Sequence, residues 1–277
     1  MSPDERRAER PDYELLDVGV GRRLERFGDR VVDRPAPTAA GFRLATGLWT
    51  SADLRFDPGE GWAGPTEPWT IDVDGLVMEL RPAASGGLGL YPEQIANLAW
   101  VGAQVTSHER PAVLNLFAHT GLATRAAARA GAAVVHVDAA RGAIAWARRN
   151  AELSGLADRP IRWLVDDATA FVAREARRGR RYDGIVLDPP SFGRAANRRW
   201  RLVDALPDLL AACRAVATTG AWVLLSAHTE GLDGALLEGL LTEAFPGPRS
   251  RIATAALGLE ATSGARLALG WAVRRSL

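Results

Sequence analysis

The sequence predicts an α/β chain: a doubly wound parallel sheet that ends in an antiparallel hairpin, preceded by a small β-rich domain. Three observations predict it. From residue 112 onward, short apolar runs alternate with Ala-rich amphipathic segments, as parallel strands covered by helices on both faces require. The last two apolar runs, 252–259 and 267–273, have no helical segment between them and so pair as a hairpin. The first part of the chain instead carries Trp49, Trp62 and Trp69, many Gly and Pro, and short alternating runs.

Taken in order, 13–32 reads as strands turned at Gly19, Gly21 and Gly28. WTIDVDGLVMEL (69–80) alternates around Asp74-Gly75, a hairpin signal. The Gly- and Pro-rich stretch 82–92 is the exit, which sets a β-rich domain at 1–92 and a second domain at 93–277. Ile95, Leu98, Ala99 and Gly102 have helical spacing behind Pro92. Strands follow at 112–117, 133–138, 161–165, 183–188 and 221–226. Helices are expected at 122–130 before Gly131, 141–154 before Gly155, 169–178 before Gly179, 206–217 and 236–245.

Composition bounds the function. With 277 residues, 47% hydrophobic and 24% charged, the chain can build a sizeable core. Net charge is +1, from 34 basic and 33 acidic residues, which excludes a strongly cationic nucleic-acid coat but not a local basic face. Every basic residue is arginine, so Schiff-base chemistry, which needs a lysine amine, is excluded. The single cysteine, Cys213, excludes an internal disulfide framework and a Cys-cluster zinc site; no metal centre is expected, and a reducing compartment is. MSPDERRAERPDYE at the start has no apolar segment of the kind a signal peptide needs. The most apolar stretch, 209–227, is broken by Arg214 and Gly220 and reads as helix, turn and strand, not a membrane span. A cytoplasmic protein is the expectation.

In doubly wound sheets ligands bind beyond the carboxyl ends of the strands, near the point where strand order reverses. Four consecutive strands end in polar groups: 115–121 after the first, Asp138 after the second, Asp166 and Asp167 after the third, and Asp188-Pro189-Pro190-Ser191-Phe192 after the fourth. Gly121 opens a helix and lets a ligand approach the backbone. Asp138, 17 residues beyond Gly121, is placed to accept hydrogen bonds from a ribose, or to cap the next helix. Asp167 is placed to cap a helix or to accept from an adenine amine. A dinucleotide site would show G-x-G-x-x-G to cradle the pyrophosphate; NLFAHTG has one glycine. A ribose site without a pyrophosphate site favours S-adenosylmethionine (SAM) over NAD. The two prolines after Asp188 end the ladder and fix a rigid loop. Either that is all they do, or Asp188 and the prolyl carbonyls hold a planar amine while Phe192 stacks on a base.

VLNLFAHTG (113–121), VVHVDAARGAIAWARRNAELSGL (134–156), LVDDATAFV (164–172) and YDGIVLDPPSFG (182–193) resemble class I SAM-dependent methyltransferases of the bacterial large-subunit rRNA type. LYPEQ (90–94) is similar to the family segment that lines the SAM pocket ahead of the first strand. The resemblance implies a Rossmann-like sheet, SAM as cofactor and RNA, specifically rRNA, as partner, with homo-oligomerisation left open. It implies that Tyr91, Gln94, Asn115, Phe117, Thr120 and Gly121 lie around the cofactor, with Asn115, Phe117 and 120–121 at its methionine end. Asp138 takes the ribose hydroxyls, Asp167 the adenine amine, and Asp188, Pro189, Pro190 and Phe192 the acceptor side.

Two departures shape the expected chemistry. Family members that methylate cytosine carbon-5 need a cysteine just after the fifth strand, where this chain has Ser226-Ala227-His228-Thr229. Cys213 falls mid-helix in LLAACRAV and is expected to be buried. Amino-methylating members carry an aromatic directly after the prolines, whereas here Ser191 intervenes, more as in the guanine nitrogen-7 type. The N-terminal RNA-binding domain of the cytosine enzymes is not recognisable. The nine arginines between Arg174 and Arg201 are a phosphate track or a solvated face. His119 and His228 are candidate proton acceptors. The expected function is direct methyl transfer to a base nitrogen in RNA. A small-molecule methyltransferase and a SAM- or RNA-binding module without catalysis are the alternatives.

Overall fold

The structure, a computed structural model, describes residues 12–195 and 198–277. It divides into two compact units: Met1–Ile95 with Gly258–Ala268, and Ala96–Leu257 with Leu269–Leu277. The charged N-terminal run and the side chains of Arg194, Arg198 and Arg199 lie outside the described part.

In the first unit, β1 (Tyr13–Gly19), β2 (Arg22–Phe27), β3 (Arg30–Pro35), β4 (Leu54–Asp57) and β5 (Gly61–Ala63) form one sheet in that order. β6 (Trp69–Val73) and β7 (Leu76–Leu80) form a separate hairpin that turns at Asp74-Gly75, as the alternation predicts. β4 and β5 were not expected, being too short to show a period. Charge is buried in pairs here: Glu25 accepts from Arg34 Nε at 2.5 Å and from the Tyr13 hydroxyl at 3.1 Å. Asp17 accepts from Ala45 N–H (2.9 Å), Trp49 Nε1 (2.8 Å) and Ser263 Oγ (2.7 Å), fastening the 38–50 loop and the turn at 261–265 to β1.

The second unit runs α1 (Leu98–Thr106), β8 (Ala112–Leu116), α2 (Leu122–Arg129), β9 (Ala133–Asp138), α3 (Arg141–Leu153), β10 (Ile161–Val165), α4 (Ala168–Arg177) and β11 (Tyr182–Leu187). A short hairpin of β12 (Phe192–Ala195) and β13 (Arg198–Arg201) follows, then α5 (Leu202–Arg214), β14 (Ala217–Ala227) and α6 (Gly234–Ala244). β15 (Ile252–Glu260) and β16 (Arg266–Ser276) close the chain. The sheet order is β10-β9-β8-β11-β14-β16-β15, with the first five strands parallel and β16 antiparallel to β14. The chain enters at β8, winds outward to β10 and returns to β11 on the other side of β8. The switch point therefore lies between β8 and β11.

Strand side chains alternate between faces, and the core divides accordingly. Leu114, Leu116, Ile185, Leu187, Val223 and Leu225 pack with Phe171, Leu209 and Leu237 from α4, α5 and α6. Val113, Val186, Trp222 and Leu224 pack with Val101, Val105 and Ala127 from α1 and α2. Trp222 lies over the backbone of Gly184, where an added Cβ would fall 2.2 Å from the indole, so the strand can carry only glycine there.

Three differences from expectation have local causes. α5 starts at Leu202 rather than 206, because Leu202 and Leu206 are both buried and Pro207 is tolerated inside the helix. β14 starts at Ala217, which pairs with Tyr182. The β12–β13 hairpin was not expected, since FGRA and RRWR carry no period-two apolar pattern. Among the described residues no helix is long and apolar enough to cross a membrane, and no group of His, Cys, Asp and Glu is placed to hold a metal ion.

Candidate functional site at the strand ends

Ladder register brings the polar strand ends level. Leu187 pairs with Leu116 on one side and Leu225 on the other, Leu116 pairs with Val137, and Val165 pairs with Asp138. The next residues of each strand therefore share one rim: Phe117, Asp138, Asp166, Asp188 and Ser226.

The loop after β8 is strained. Phe117 and His119 have φ of 55° and 47°, and Gly121 has 81°. Such non-glycine conformations cost about 1–3 kcal/mol each and persist where surrounding bonds impose them. Asp138 imposes them here: Oδ2 accepts from His119 N–H at 2.8 Å, while Ala118 N–H donates to Val137 O at 3.1 Å. Asp138 Oδ1 accepts from Ala140 N–H at 2.8 Å. It does not cap α3, whose cap residue is Ala140 with no side-chain bond. Each carboxylate oxygen has two acceptor sites and spends one on backbone, so the pair fits the two hydroxyls of a ribose. A Cβ on Gly121 would meet that of Ala147 at 3.2 Å, so the helix start tolerates little but glycine.

Under the loop runs a buried polar chain. Asn115 Nδ2 donates to Thr124 Oγ1 at 2.8 Å, and that hydroxyl lies 2.8 Å from His136 Nδ1. Asn150 Nδ2 donates to Thr120 O at 3.1 Å, and Arg125 reaches Ser154 Oγ at 2.9 Å. Asn115 and Thr120 are thus brought beneath the loop as supports. The sequence gives no sign of Arg125, Thr124 and His136 as supports; burial of one of the two arginines in an Ala-rich helix has no periodic signal. Burial pushes the Arg125 guanidinium down to about 9 and the His136 imidazole down to about 3. His136 therefore folds neutral. The unfolded chain takes up its proton below about pH 6.5 and the folded one does not, so stability falls as pH drops through that value. Denaturant midpoints measured from pH 7 to 5 should show this loss, and His136→Phe should flatten it.

Asp167 caps α4, accepting from Ala170 N–H at 2.8 Å, so the capping expectation holds whatever else it binds. Asp166 pairs with Arg174. Across the switch point, Asp188 Oδ1 accepts from Ser226 Oγ at 2.7 Å and lies 3.2 Å from His228 Nε2. Pro189 is buried and Pro190 exposed, and Thr229 Oγ1 donates to Ser191 Oγ at 2.7 Å, so the loop is held from both strands. Phe192, 71% exposed, opens the short hairpin with its ring available. Burial lowers the His119 pKa, while the charges of Asp138 and Asp188 pull the other way.

Cys213 is buried in the core on α5, and burial pushes its thiol up to about 12. A protonated, enclosed thiol is no nucleophile. Cys213→Ala should leave turnover per folded molecule unchanged while lowering the thermal midpoint by a few degrees, the effect of about 1 kcal/mol at this size. Of the nine arginines, Arg174, Arg178 and Arg201 pair with Asp166, Glu175 and Asp204. Tyr91 and Gln94 belong to the first unit, Tyr91 just before and Gln94 within the short 3-10 helix Pro92–Asn97, with Tyr91 about half exposed.

Known proteins resemble this chain in sequence and fold. A solved SAM-dependent methyltransferase from Agrobacterium tumefaciens is 35% identical, with a TM-score of 0.89 over 96% of this chain and 91% of that one. Ribosomal RNA large subunit methyltransferase I of Aeromonas salmonicida is 34% identical over 151 residues, 54% of this chain but only 35% of that protein's length. The T. thermophilus 16S rRNA N2 G1207 methyltransferase, solved with AdoMet and guanosine, shares the fold at 18% identity and a TM-score of 0.51, over 77% of this chain and 51% of that one. The model of the S-adenosylmethionine-dependent methyltransferase family matches residues 28–222. The chain belongs to that family, and its cofactor is SAM.

Proposed function

We propose that the chain methylates a base nitrogen of RNA, ribosomal RNA first, by direct transfer without a covalent enzyme intermediate. The observation that carries this is the rim at the switch point: Asp188 and its rigid proline loop face the strained Asp138-held loop across β8 and β11, while the only thiol is sealed in the core. SAM supplies a methyl group on a sulfonium. On this reading Asp138 holds the ribose, Asp167 the adenine amine and the 117–121 backbone the methionine end. The part of Tyr91 and Gln94 rests on sequence resemblance alone. Asp188, Pro189 and Pro190 position the acceptor, and Phe192 stacks on its base, worth about 1–3 kcal/mol. Catalysis is then mostly positioning. The name of the Aeromonas relative supports rRNA as substrate. RNA as substrate and a lone protected thiol also suit the cytoplasm.

The near-neutral net charge of +1 favours a second reading, a small-molecule acceptor. Turnover of SAM on total RNA, compared with an RNase-treated cell extract, separates them. RNA-dependent turnover supports the proposal, RNase-resistant turnover the second reading, and none at all a binding module. Replacing Arg198 and Arg199 by Gln should weaken RNA binding, lowering the slope of log K against log salt by about 0.7 for each lost phosphate contact on a single strand. A small-molecule enzyme would show no such change.

A further inference from the structure

His228 was not needed to recognise the family, yet both of its ring nitrogens meet a partner on the rim. It follows the end of β14, two residues beyond Ser226. Its Nδ1 lies 2.6 Å from the carbonyl oxygen of Leu269 on β16, and its Nε2 lies 3.2 Å from Asp188 Oδ1. A carbonyl only accepts, so Nδ1 carries a hydrogen in either charge state. Nε2 is then the nitrogen that gains and loses a proton, and it faces a carboxylate. The approach of β16 depends on Gly270, where a Cβ would fall 2.2 Å from Ala227 O. Ser226, buried beside the pair, donates to the same carboxylate oxygen and fixes its orientation.

Resting on the reading of Asp188 as the acceptor-side carboxylate, we infer that His228 and Asp188 form a proton-holding pair, and that the acceptor is a nitrogen bearing hydrogen. Acting through Asp188, His228 is a positioning residue. When the nitrogen bonds the methyl carbon, the carbon–sulfur electron pair stays on sulfur and the nitrogen becomes cationic. Its proton passes to the Asp188 carboxylate and ends on Nε2 of His228, whose side chain is partly exposed and returns it to water. A ring nitrogen without hydrogen would need no such pair. Among the described residues, the groups that act on the pair include the Ser226 hydroxyl on β14, the Leu269 carbonyl on β16, and His119, whose imidazole feels the charges of both Asp188 and Asp138.

Two measurements on the full chain test this. Nitrogen-15 NMR of histidine-labelled protein should show neutral His228 as the Nδ1–H tautomer, with a titration point that falls by about one pH unit in Asp188→Asn. An Nε2–H tautomer, or a titration that ignores Asp188, overturns the pair without reference to activity. His228→Gln should keep SAM affinity, lose turnover at least tenfold and lose the acidic limb of the wild-type kcat profile. Wild-type kcat and profile in that variant, with Asp188→Ala inactive, would sink the inference and leave the proposed function standing. A wild-type enzyme that modifies no RNA would instead sink the function and leave the NMR result to judge the pair. A product methylated at guanine nitrogen-7 also overturns the inference.

Discussion

Asp188→Ala should lower turnover by at least about 100-fold, within the range for loss of a positioned acid–base group, while SAM affinity changes by less than about threefold. Asp188 leaves β11 one residue beyond Leu187, in register with Ser226; Ser226 Oγ donates to its carboxylate, and His228 Nε2 lies 3.2 Å from the same oxygen. The 117–121 loop, proposed to hold the cofactor, hangs instead from Asp138, on the far side of β8. Phe192→Ala should behave similarly but more mildly, losing the stacking contribution of about 1–3 kcal/mol from acceptor binding. Isothermal calorimetry with SAM, run beside single-turnover kinetics, reads both quantities. If Asp188→Ala abolishes SAM binding and spares acceptor recognition, the loop belongs to the cofactor and the assignment is wrong.

Asp138→Ala should weaken SAM binding by about 1.5–3 kcal/mol, roughly ten- to hundredfold, the range for hydrogen bonds to a charged group. The residue acts twice. On the proposed reading it offers acceptors to a ribose, and it holds the left-handed backbone at His119 through the 2.8 Å bond to that N–H. Asp138→Asn keeps one acceptor oxygen and should fall between wild type and alanine. S-adenosylhomocysteine, which has the same ribose, should weaken in parallel. Unchanged affinity for both ligands in the alanine variant would remove the ribose assignment.

Much of the second unit was legible from sequence, because parallel strands between helices give uninterrupted apolar runs such as 133–138 and 183–188. Their polar ends mark the rim directly, which is how Asp138 and Asp188 were found. The supports of the rim were not legible. Arg125, Thr124 and His136 meet only in three dimensions, and nothing about a histidine inside AVVHVD distinguishes a buried neutral ring from an exposed one. The link from Asp188 to His228 depends on β11–β14 register, and the bond from His228 to Leu269 on β14–β16 pairing, both between strands distant in sequence. The short strands β4, β5, β12 and β13 carry three or four residues each, too few to show a period. Pro207 misplaced the start of α5 because a proline signals a helix's first turn more often than its interior.

Direct methylation of an RNA base nitrogen at the Asp188 rim can be read by incubating the protein with methyl-labelled SAM and ribosomal RNA from cells lacking it, digesting the RNA and identifying the labelled nucleoside. Label is expected in an N-methylated nucleoside, dependent on Asp188 and independent of Cys213. Label in 5-methylcytidine that disappears with Cys213→Ala, or label confined to small molecules with none in RNA, would contradict it.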